Sequence, residues 1–419
     1  MKGGASMSYF DDYGDRRSKI PYDEVPITRN ERVQRGGSSA RGGMRVGRFS
    51  SVAVSFMIVV NLILSVVCLF LINNKKTRVI NNYAIEVGSS SEVSAVVKNT
   101  ALTSSVCVSV GSSNGSGVIY KVVADKTNSN KGTIYFVTCY HVVSLNLYNV
   151  KVQLSTNSQK LPVEVLGYSE HKDLAVLKYE TNDLEWTLGG AVPVDLFNSV
   201  YASFGERVFA IGNSLSSGLS ITDGLISYIN AIVDIEGIES RCLQISAEIN
   251  PGNSGGGLFN SKGELVGIVN AKRHNVSSNG EVFTVVGTSY AIPSSIVKGV
   301  AEQIISGNDN VKKVSLGVEF INSGERTIEY VEYSGEQRPI DIYAVGVPRS
   351  YGKFREGDII EAFEFVEIGS TESKRVRVFN QYTFDDYALL IRPGSVIKFY
   401  LQGRAQPIEV VADSLVLVK

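Results

Sequence analysis

From about residue 100 onward, the chain alternates short apolar runs with polar turns. The runs are rich in β-branched and aromatic side chains, and glycine or polar residues separate them. This pattern is typical of strands, and the regular spacing indicates an all-β barrel or sandwich. The runs are SSVCVSV, GSGVIYKVV, GTIYFVTCYHVV, VKVQLS, LAVLKYE, RVFAIG, GLISYINAIV, CLQISAEI, ELVGIVNAK and GTSYAIP.

Two segments have helical periodicity. Residues 296–306 predict a helix that closes a first β domain over residues 101–305, and polar residues follow as a linker over 306–314. Strand-like runs then resume through a second domain of residues 315–419, with one helix predicted at Tyr382–Ile391.

An apolar run of 22 uncharged residues occupies positions 51–72. As a helix it would be about 33 Å long, close to the thickness of a bilayer core. The segment before it is long and no A-x-A-like site follows, so an uncleaved anchor is favoured over a signal peptide. Arginines cluster before the run, which predicts a cytoplasmic N terminus and extracytoplasmic domains after a linker over residues 73–100.

Residues 1–50 hold ten Lys or Arg and six Asp or Glu and lack the apolar periodicity of a core. We interpret them as a disordered basic tail. The whole chain has a net charge of −1, so no global basic field exists to bind nucleic acid. Four cysteines without a CxxC pair indicate neither a disulfide framework nor a zinc site, and no metal or cofactor is predicted.

A glycine-rich stretch, NPGNSGGGLFN, carries the most specific chemistry in the sequence. Ser254 lies in it between two apolar runs, beside Gly252 and Gly255. Glycines permit positive φ and close backbone approach. A nucleophilic serine needs both, because its hydroxyl must protrude and nearby N–H groups must converge on an oxyanion. A solvated serine in a turn is the plainer alternative.

Two further residues complete a catalytic pattern. His141 ends the run IYFVT–CYH, and Asp173 opens the run LAVLKY. Singly, each is ordinary: a packed histidine and a turn-capping aspartate. Together with Ser254 they supply a nucleophile, its base and the carboxylate that orients the base. The order His, Asp, Ser is that of chymotrypsin-type barrels.

The segments GSGVIY, TCYHVV, KDLAVLK, INPGNSGGGLFNSKGELVGIVNA and GTSYAIP resemble, in order, the HtrA (DegP/DegS) family of trypsin-fold serine proteases. The resemblance implies a chymotrypsin-like double β-barrel with His141 as general base, Asp173 as its carboxylate and Ser254 as nucleophile. It also implies an oxyanion hole of backbone N–H groups from Gly252, Asn253 and Ser254.

The resemblance further assigns residues 270–292 to a wall of the primary specificity pocket. No Asp stands at its base, so we expect small or medium apolar residues before the scissile bond. The family also implies a homotrimer that acts, without ATP, on unfolded, membrane-associated or signalling proteins in envelope stress and quality control at a bacterial cell membrane.

Residues 315–419 resemble a PDZ domain of the HtrA kind. The resemblance implies that Leu316, Gly317 and Val318 bind the carboxylate of a peptide C terminus and that residues 318–321 pair with the peptide. Tyr382, Asp386 and Leu389 are the residues expected to face the groove beside the helix. The region 323–341 is unusually polar and fits this family poorly.

The favoured function is a membrane-anchored serine endopeptidase whose PDZ domain binds C termini. Two alternatives stay open. One is a PDZ scaffold or chaperone with weak or vestigial catalysis, which an activity that is lost in Ser254→Ala would exclude. The other is a chymotrypsin-like protease without PDZ regulation, which would survive deletion of residues 315–419.

Overall fold

A computed structural model describes residues 95–235, 238–270, 275–278, 281–284, 288–308 and 310–417. The chain divides into two units, Met1–Ile85 and Glu86–Lys419, and all described residues belong to the second. The predicted tail, membrane segment 51–72 and most of the 73–100 linker lie outside the described residues. Among the described residues, no helix has the length and apolar character needed to cross a membrane.

The first β domain consists of two closed six-stranded barrels, which confirms the predicted chymotrypsin-like fold. Barrel 1 has the strand order β1-β2-β3-β6-β5-β4, and barrel 2 has the order β10-β11-β14-β9-β8-β7. The barrel 1 strands are β1 Ser105–Val110, β2 Ser113–Ala124, β3 Gly132–Thr138, β4 Val150–Leu154, β5 Lys160–Ser169 and β6 Leu174–Thr181. The barrel 2 strands are β7 Arg207–Gly212, β8 Ser220–Ile235, β9 Ile238–Ile245, β10 Gly257–Asn260, β11 Leu265–Asn270 and β14 Ser289–Pro293, and a separate hairpin pairs β12 Asn275–Ser278 with β13 Glu281–Thr284.

Each barrel has its own apolar core, and a third cluster fills the space between the barrels. This shared cluster includes the helix α3, Ser294–Ile305, whose apolar face is buried against both barrels. The burial explains the helical periodicity seen in the sequence over 296–306. The shorter helical segments are Val97–Ala101 (π-helical), Leu102–Ser104, α1 Tyr140–Val143, α2 Leu184–Leu188, and the 3₁₀ turns Ser199–Tyr201 and Ser214–Ser216.

The C-terminal module has a main β-sheet, a small two-stranded sheet and one short helix, and its core is rich in aromatic side chains. Its main sheet has the strand order β16-β17-β18-β20-β21, and β19 also pairs with β18. A small sheet of β15 and β22 begins at Lys312, inside the predicted linker. The elements are β15 Lys312–Val314, β16 Ile321–Tyr333, β17 Glu336–Gly346, β18 Ile359–Val366, β19 Ser373–Arg377, helix α4 Thr383–Ala388, β20 Val396–Leu401, β21 Ile408–Val411 and β22 Leu415–Leu417.

The polar region that fits the PDZ pattern poorly forms a long hairpin of β16 and β17. Its two-residue loop, Ser334 and Gly335, has positive φ at both positions (51° and 82°), as a type I′ turn requires. The tip lies on barrel 2, where the Tyr333 ring stacks on Tyr201 with centroids 4.4 Å apart. The tip of this hairpin therefore serves as a contact between the module and the first β domain.

Candidate active site

His141 and Asp173 meet because the strands that lead to them are neighbours. Thr138, at the end of β3, pairs with Ala175, near the start of β6. The residue stretches just after β3 and just before β6 therefore lie at the same end of barrel 1. His141 does not continue the strand as the run GTIYFVTCYHVV suggested; it lies in the helical turn α1.

The Asp173 carboxylate holds His141 at two points. One oxygen, Oδ2, is hydrogen-bonded to His141 Nδ1 at 2.7 Å, and the other accepts the His141 backbone N–H at 2.9 Å. Asp173 has a φ of 48°, a left-handed conformation that aspartate tolerates better than most residues. Its carbonyl accepts the Tyr140 N–H at 3.0 Å, so backbone and side chain together fix the start of α1.

Ser254 lies in the loop between β9 and β10 and is buried. Gly252 and Gly255 adopt φ values of 100° and 84°. A Cβ at Gly252 would lie 2.2 Å from the Asn213 carbonyl oxygen, and one at Gly255 would lie 2.2 Å from the Ser116 carbonyl oxygen. Both positions thus require glycine for conformation and for space, as the sequence suggested.

The Ser254 loop lies against the segment that carries His141. A Cβ at Gly115 would contact both Val142 (2.5 Å) and the Ser254 carbonyl oxygen (3.3 Å), and a Cβ at Gly255 would lie 2.9 Å from the Cys139 N. Cys139 and Val142 flank His141 in the chain. The structure therefore gathers the three predicted catalytic residues at the junction of the two barrels.

One of the three N–H groups predicted to form the oxyanion hole has another hydrogen-bond partner. The Asn253 N–H donates to the Asn250 carbonyl at 3.0 Å, so it closes a turn within the loop. Gly252 and Ser254 are the other two predicted donors. The Asn253 side chain is buried, and its Oδ1 has no hydrogen-bond partner among the described residues.

Asn270 is a site residue that the sequence did not single out. It ends the fully buried strand β11, and its Nδ2 donates to Asp173 Oδ2 at 3.0 Å. The sequence signal that could have identified Asn270 is its position as a polar residue at the end of an otherwise apolar strand. The pocket wall predicted over residues 270–292 lies partly outside the described residues, including 271–274 and 285–287.

Cys139 adds a thiol to the same neighbourhood. In the described part of the chain, Cys139, His141 and Asp173 form the one group of three side chains whose ligand atoms, all within 4.8 Å of one another, could reach a common metal ion. The imidazole and the carboxylate are already hydrogen-bonded to each other, and the Cys139 Sγ donates to the Val269 carbonyl at 3.4 Å. This arrangement suits proton transfer by His141.

The segment predicted to bind a peptide carboxylate has no strand at Val318. Leu316 and Val318 are partly buried against the module core, and Gly317 has a φ of 67°. The strand β16 begins only at Ile321, where it forms an edge of the main sheet. The Phe320 ring contacts Phe384 of α4 with centroids 5.8 Å apart. Phe320 therefore packs against the helix beside the segment that was expected to bind the peptide.

The residues expected to face a peptide groove from α4 face the barrels instead, which corrects that prediction. Asp386 forms a buried ion pair with Arg241 of β9. The Tyr382 ring lies 5.7 Å from the Arg241 guanidinium, and Leu389 belongs to the apolar cluster between the barrels. Burial lowers the pKa of Arg241 to about 10, so it stays charged at neutral pH. Docking against the barrels, rather than solvent, sets the orientation of α4.

Comparisons with known proteins agree with this geometry. Residues 115–268 match the family model of the trypsin-like peptidase domain. The chain is 29% identical over 293 residues to the serine protease Do-like HtrA of Lactococcus lactis strain IL1403, a match that covers 67% of each chain. Over 291 residues it is 28% identical to the serine protease Do-like HtrB of Bacillus subtilis, covering 65% of this chain and 57% of the relative.

A third relative is a probable periplasmic serine endoprotease, DegP-like, from Pseudomonas fulva. The identity is 33% over 234 residues, which covers 54% of this chain and 44% of the relative. The double barrel and the matched domain thus define a trypsin-like serine endopeptidase. More specifically, the chain is a homologue of the HtrA and DegP serine proteases, and the matched regions span about half to two thirds of these relatives.

Proposed function

We propose that this chain hydrolyses peptide bonds in unfolded, membrane-associated or signalling proteins, with His141, Asp173 and Ser254 as the catalytic residues. The observation that carries the proposal is the two-point hydrogen bonding of His141 by Asp173 beside the Ser254 loop. The homologous HtrA and DegP proteases support the reaction class.

Each residue has a defined role. Ser254 Oγ attacks the scissile carbonyl while the His141 ring takes its proton and later passes it to the leaving amine. Asp173 keeps the ring in the required tautomer and stabilises the imidazolium. Backbone N–H groups of Gly252 and Ser254 bind the oxyanion. No metal or other cofactor takes part in this mechanism.

We place the enzyme at a bacterial cell membrane, crossing once through residues 51–72, with the tail inside and the peptidase outside. The uncharged run and the arginines that precede it support this topology. A protease added outside intact cells should then digest the C-terminal region while it spares an epitope placed near residue 10. Protection of both ends would contradict this orientation.

The C-terminal module is proposed to be a PDZ domain that binds peptide C termini, in a homotrimeric, stress-responsive quality-control protease. Its order along the chain and its sheet with one helix support this assignment. The packing of Phe320 implies that a peptide must first displace that side chain, so binding would be coupled to a rearrangement of the module.

The test is hydrolysis of β-casein by the full chain in detergent, with and without peptides that end in hydrophobic residues. Ser254→Ala is the blank. We expect cleavage that Ser254→Ala abolishes and that the peptides stimulate. Absence of cleavage by the folded chain under every condition would favour the scaffold alternative, and cleavage without any response to peptide would favour an unregulated protease.

A further inference from the structure

Ser116, a residue of barrel 1, makes two hydrogen bonds to the Ser254 loop of barrel 2. It lies on β2, between Gly115 and Gly117, and is fully buried. Its N–H donates to the Ser254 carbonyl at 2.9 Å. Its hydroxyl donates to the Gly252 carbonyl at 2.6 Å and accepts the Asn213 N–H at 2.7 Å.

We propose that Ser116 is a positioning residue that sets the peptide planes of the oxyanion loop. The inference rests on the proposed function and assigns one more residue to the same reaction. Ser116 does not touch the substrate; it acts through the carbonyl groups of Gly252 and Ser254.

Hydrogen bonds hold three successive peptide units of the Ser254 loop. The unit that joins residues 252 and 253 is held at both ends, because its carbonyl accepts from Ser116 Oγ and its N–H donates to the Asn250 carbonyl. The next unit is held by the Asn253 carbonyl, which accepts the Gly256 N–H at 2.9 Å. In the unit after that, the Ser254 carbonyl accepts the Ser116 N–H.

The oxyanion donor Ser254 N–H belongs to the planar unit between residues 253 and 254, and the two units whose carbonyls Ser116 holds lie directly on either side of it. Fixing both neighbours restricts rotation of the unit between them, and so fixes the direction of the Ser254 N–H. Gly252 has the freedom of glycine at a φ of 100°, and without an anchor the unit after it can rotate. The Ser116 hydroxyl supplies that anchor. Its second bond, from Asn213, keeps the hydroxyl itself in one orientation.

Two serines of barrel 1 provide a matched comparison. Ser105 is also fully buried, and its hydroxyl donates to the Ala101 carbonyl at 2.7 Å; within the described part of the chain it makes no hydrogen bond to the Ser254 loop. Loss of one oxyanion donor lowers kcat about 10²–10³-fold, and a misaligned donor should lower it less. We therefore expect Ser116→Ala to lower kcat for β-casein roughly 10- to 100-fold, with KM within about threefold of wild type.

The experiment measures kcat, KM, the pH profile of kcat/KM and the melting temperature of the full chain and of both Ser→Ala variants. We expect Ser105→Ala to keep wild-type kcat, and Ser116→Ala to keep the shape of the pH profile, because the contact between His141 and Asp173 is untouched. Wild-type kcat in Ser116→Ala, or an equal loss in Ser105→Ala, would overturn the proposal.

A second pair of variants covers the case in which Ser116→Ala does not fold. Ser116→Thr and Ser116→Val have nearly the same shape, and only threonine retains the hydroxyl. We expect kcat of the threonine variant to exceed that of the valine variant at least tenfold, and equal values would refute the role of the hydroxyl. An inactive wild type, or a Ser254→Ala variant that keeps its activity, would refute the proposed function. The role of Ser116 is judged only against an active wild type, so the two failures are distinguishable.

Discussion

Asn270 and His141 share one oxygen atom of Asp173. The Asn270 amide donates to Oδ2 at 3.0 Å, and His141 Nδ1 lies 2.7 Å from the same atom. The carboxylate is thus held from barrel 2 while it holds the histidine of barrel 1. This link crosses the junction between the barrels. The position of His141 relative to Ser254 therefore depends on how the two barrels pack against each other.

The first prediction concerns Asn270. In Asn270→Ala the carboxylate loses a donor, and we expect kcat to fall roughly 10- to 100-fold because a hydrogen bond to a charged group contributes roughly 1.5–3 kcal/mol. Asn270→Asp should be worse, since it places a second negative charge beside Asp173. Steady-state hydrolysis of a peptide substrate measures both. Wild-type kcat in Asn270→Ala would show that Asp173 is positioned without it.

The second prediction concerns the buried pair of Arg241 and Asp386. Removing one partner leaves an uncompensated buried charge, so Arg241→Met or Asp386→Leu alone should lower the free energy of unfolding by about 3–5 kcal/mol. The double variant should recover most of that loss, because neither charge remains. Denaturant unfolding of all four proteins checks this. Additive losses in the double variant would mean that the two side chains do not interact.

The third prediction concerns the hairpin tip. Tyr333 stacks on Tyr201 and meets Phe197 edge-on at 5.2 Å, so Tyr333→Ala should loosen the tip from barrel 2. We expect a loss of about 2 kcal/mol and faster proteolysis near Ser334. Ile328→Ala, at a position 58% exposed on the same strand, is the control. Similar digestion of both variants would argue against docking of the tip.

The fourth prediction concerns pH. Burial, with help from the nearby charges of Lys313 and Arg241, lowers the pKa of Lys172. Between that lowered pKa and the usual value of about 10.4 in the unfolded chain, the folded chain binds fewer protons, so stability from this group rises with pH. Lys172→Met should remove this rise.

Unfolding of wild type and Lys172→Met at pH 7.5 and pH 10 tests the point. Relative to the variant, the wild type should gain stability at the higher pH. An unchanged difference between the two proteins would mean that Lys172 ionises alike in the folded and unfolded chains.

Most barrel strands could be predicted because each strand buries one of its faces. This burial produces the runs of β-branched and other apolar residues that are visible in the sequence. β5 was missed, since Pro162 and glutamate interrupt its run. The glycines at 252 and 255 were also recognisable, because positive φ favours that residue. These features depend on short stretches of chain.

The features that could not be predicted depend on contacts between distant segments. Asn270 and Ser116 gain their roles only when barrel 2 closes against barrel 1. Asp386 was expected to face a peptide groove. It is buried instead, and its carboxylate pairs with Arg241 of barrel 2, which is distant in the sequence. The polarity of residues 323–341 signalled a departure from the PDZ pattern without revealing a docked hairpin.

The most direct test of the central claim is covalent labelling with a fluorophosphonate, which reacts with a serine activated by a neighbouring base. The full chain is treated, digested and mapped by mass spectrometry. We expect a single modified serine, Ser254, and labelling slowed by orders of magnitude in His141→Ala and Asp173→Asn. Labelling elsewhere, or equal labelling in all three proteins, would contradict the assignment of these residues as a catalytic triad.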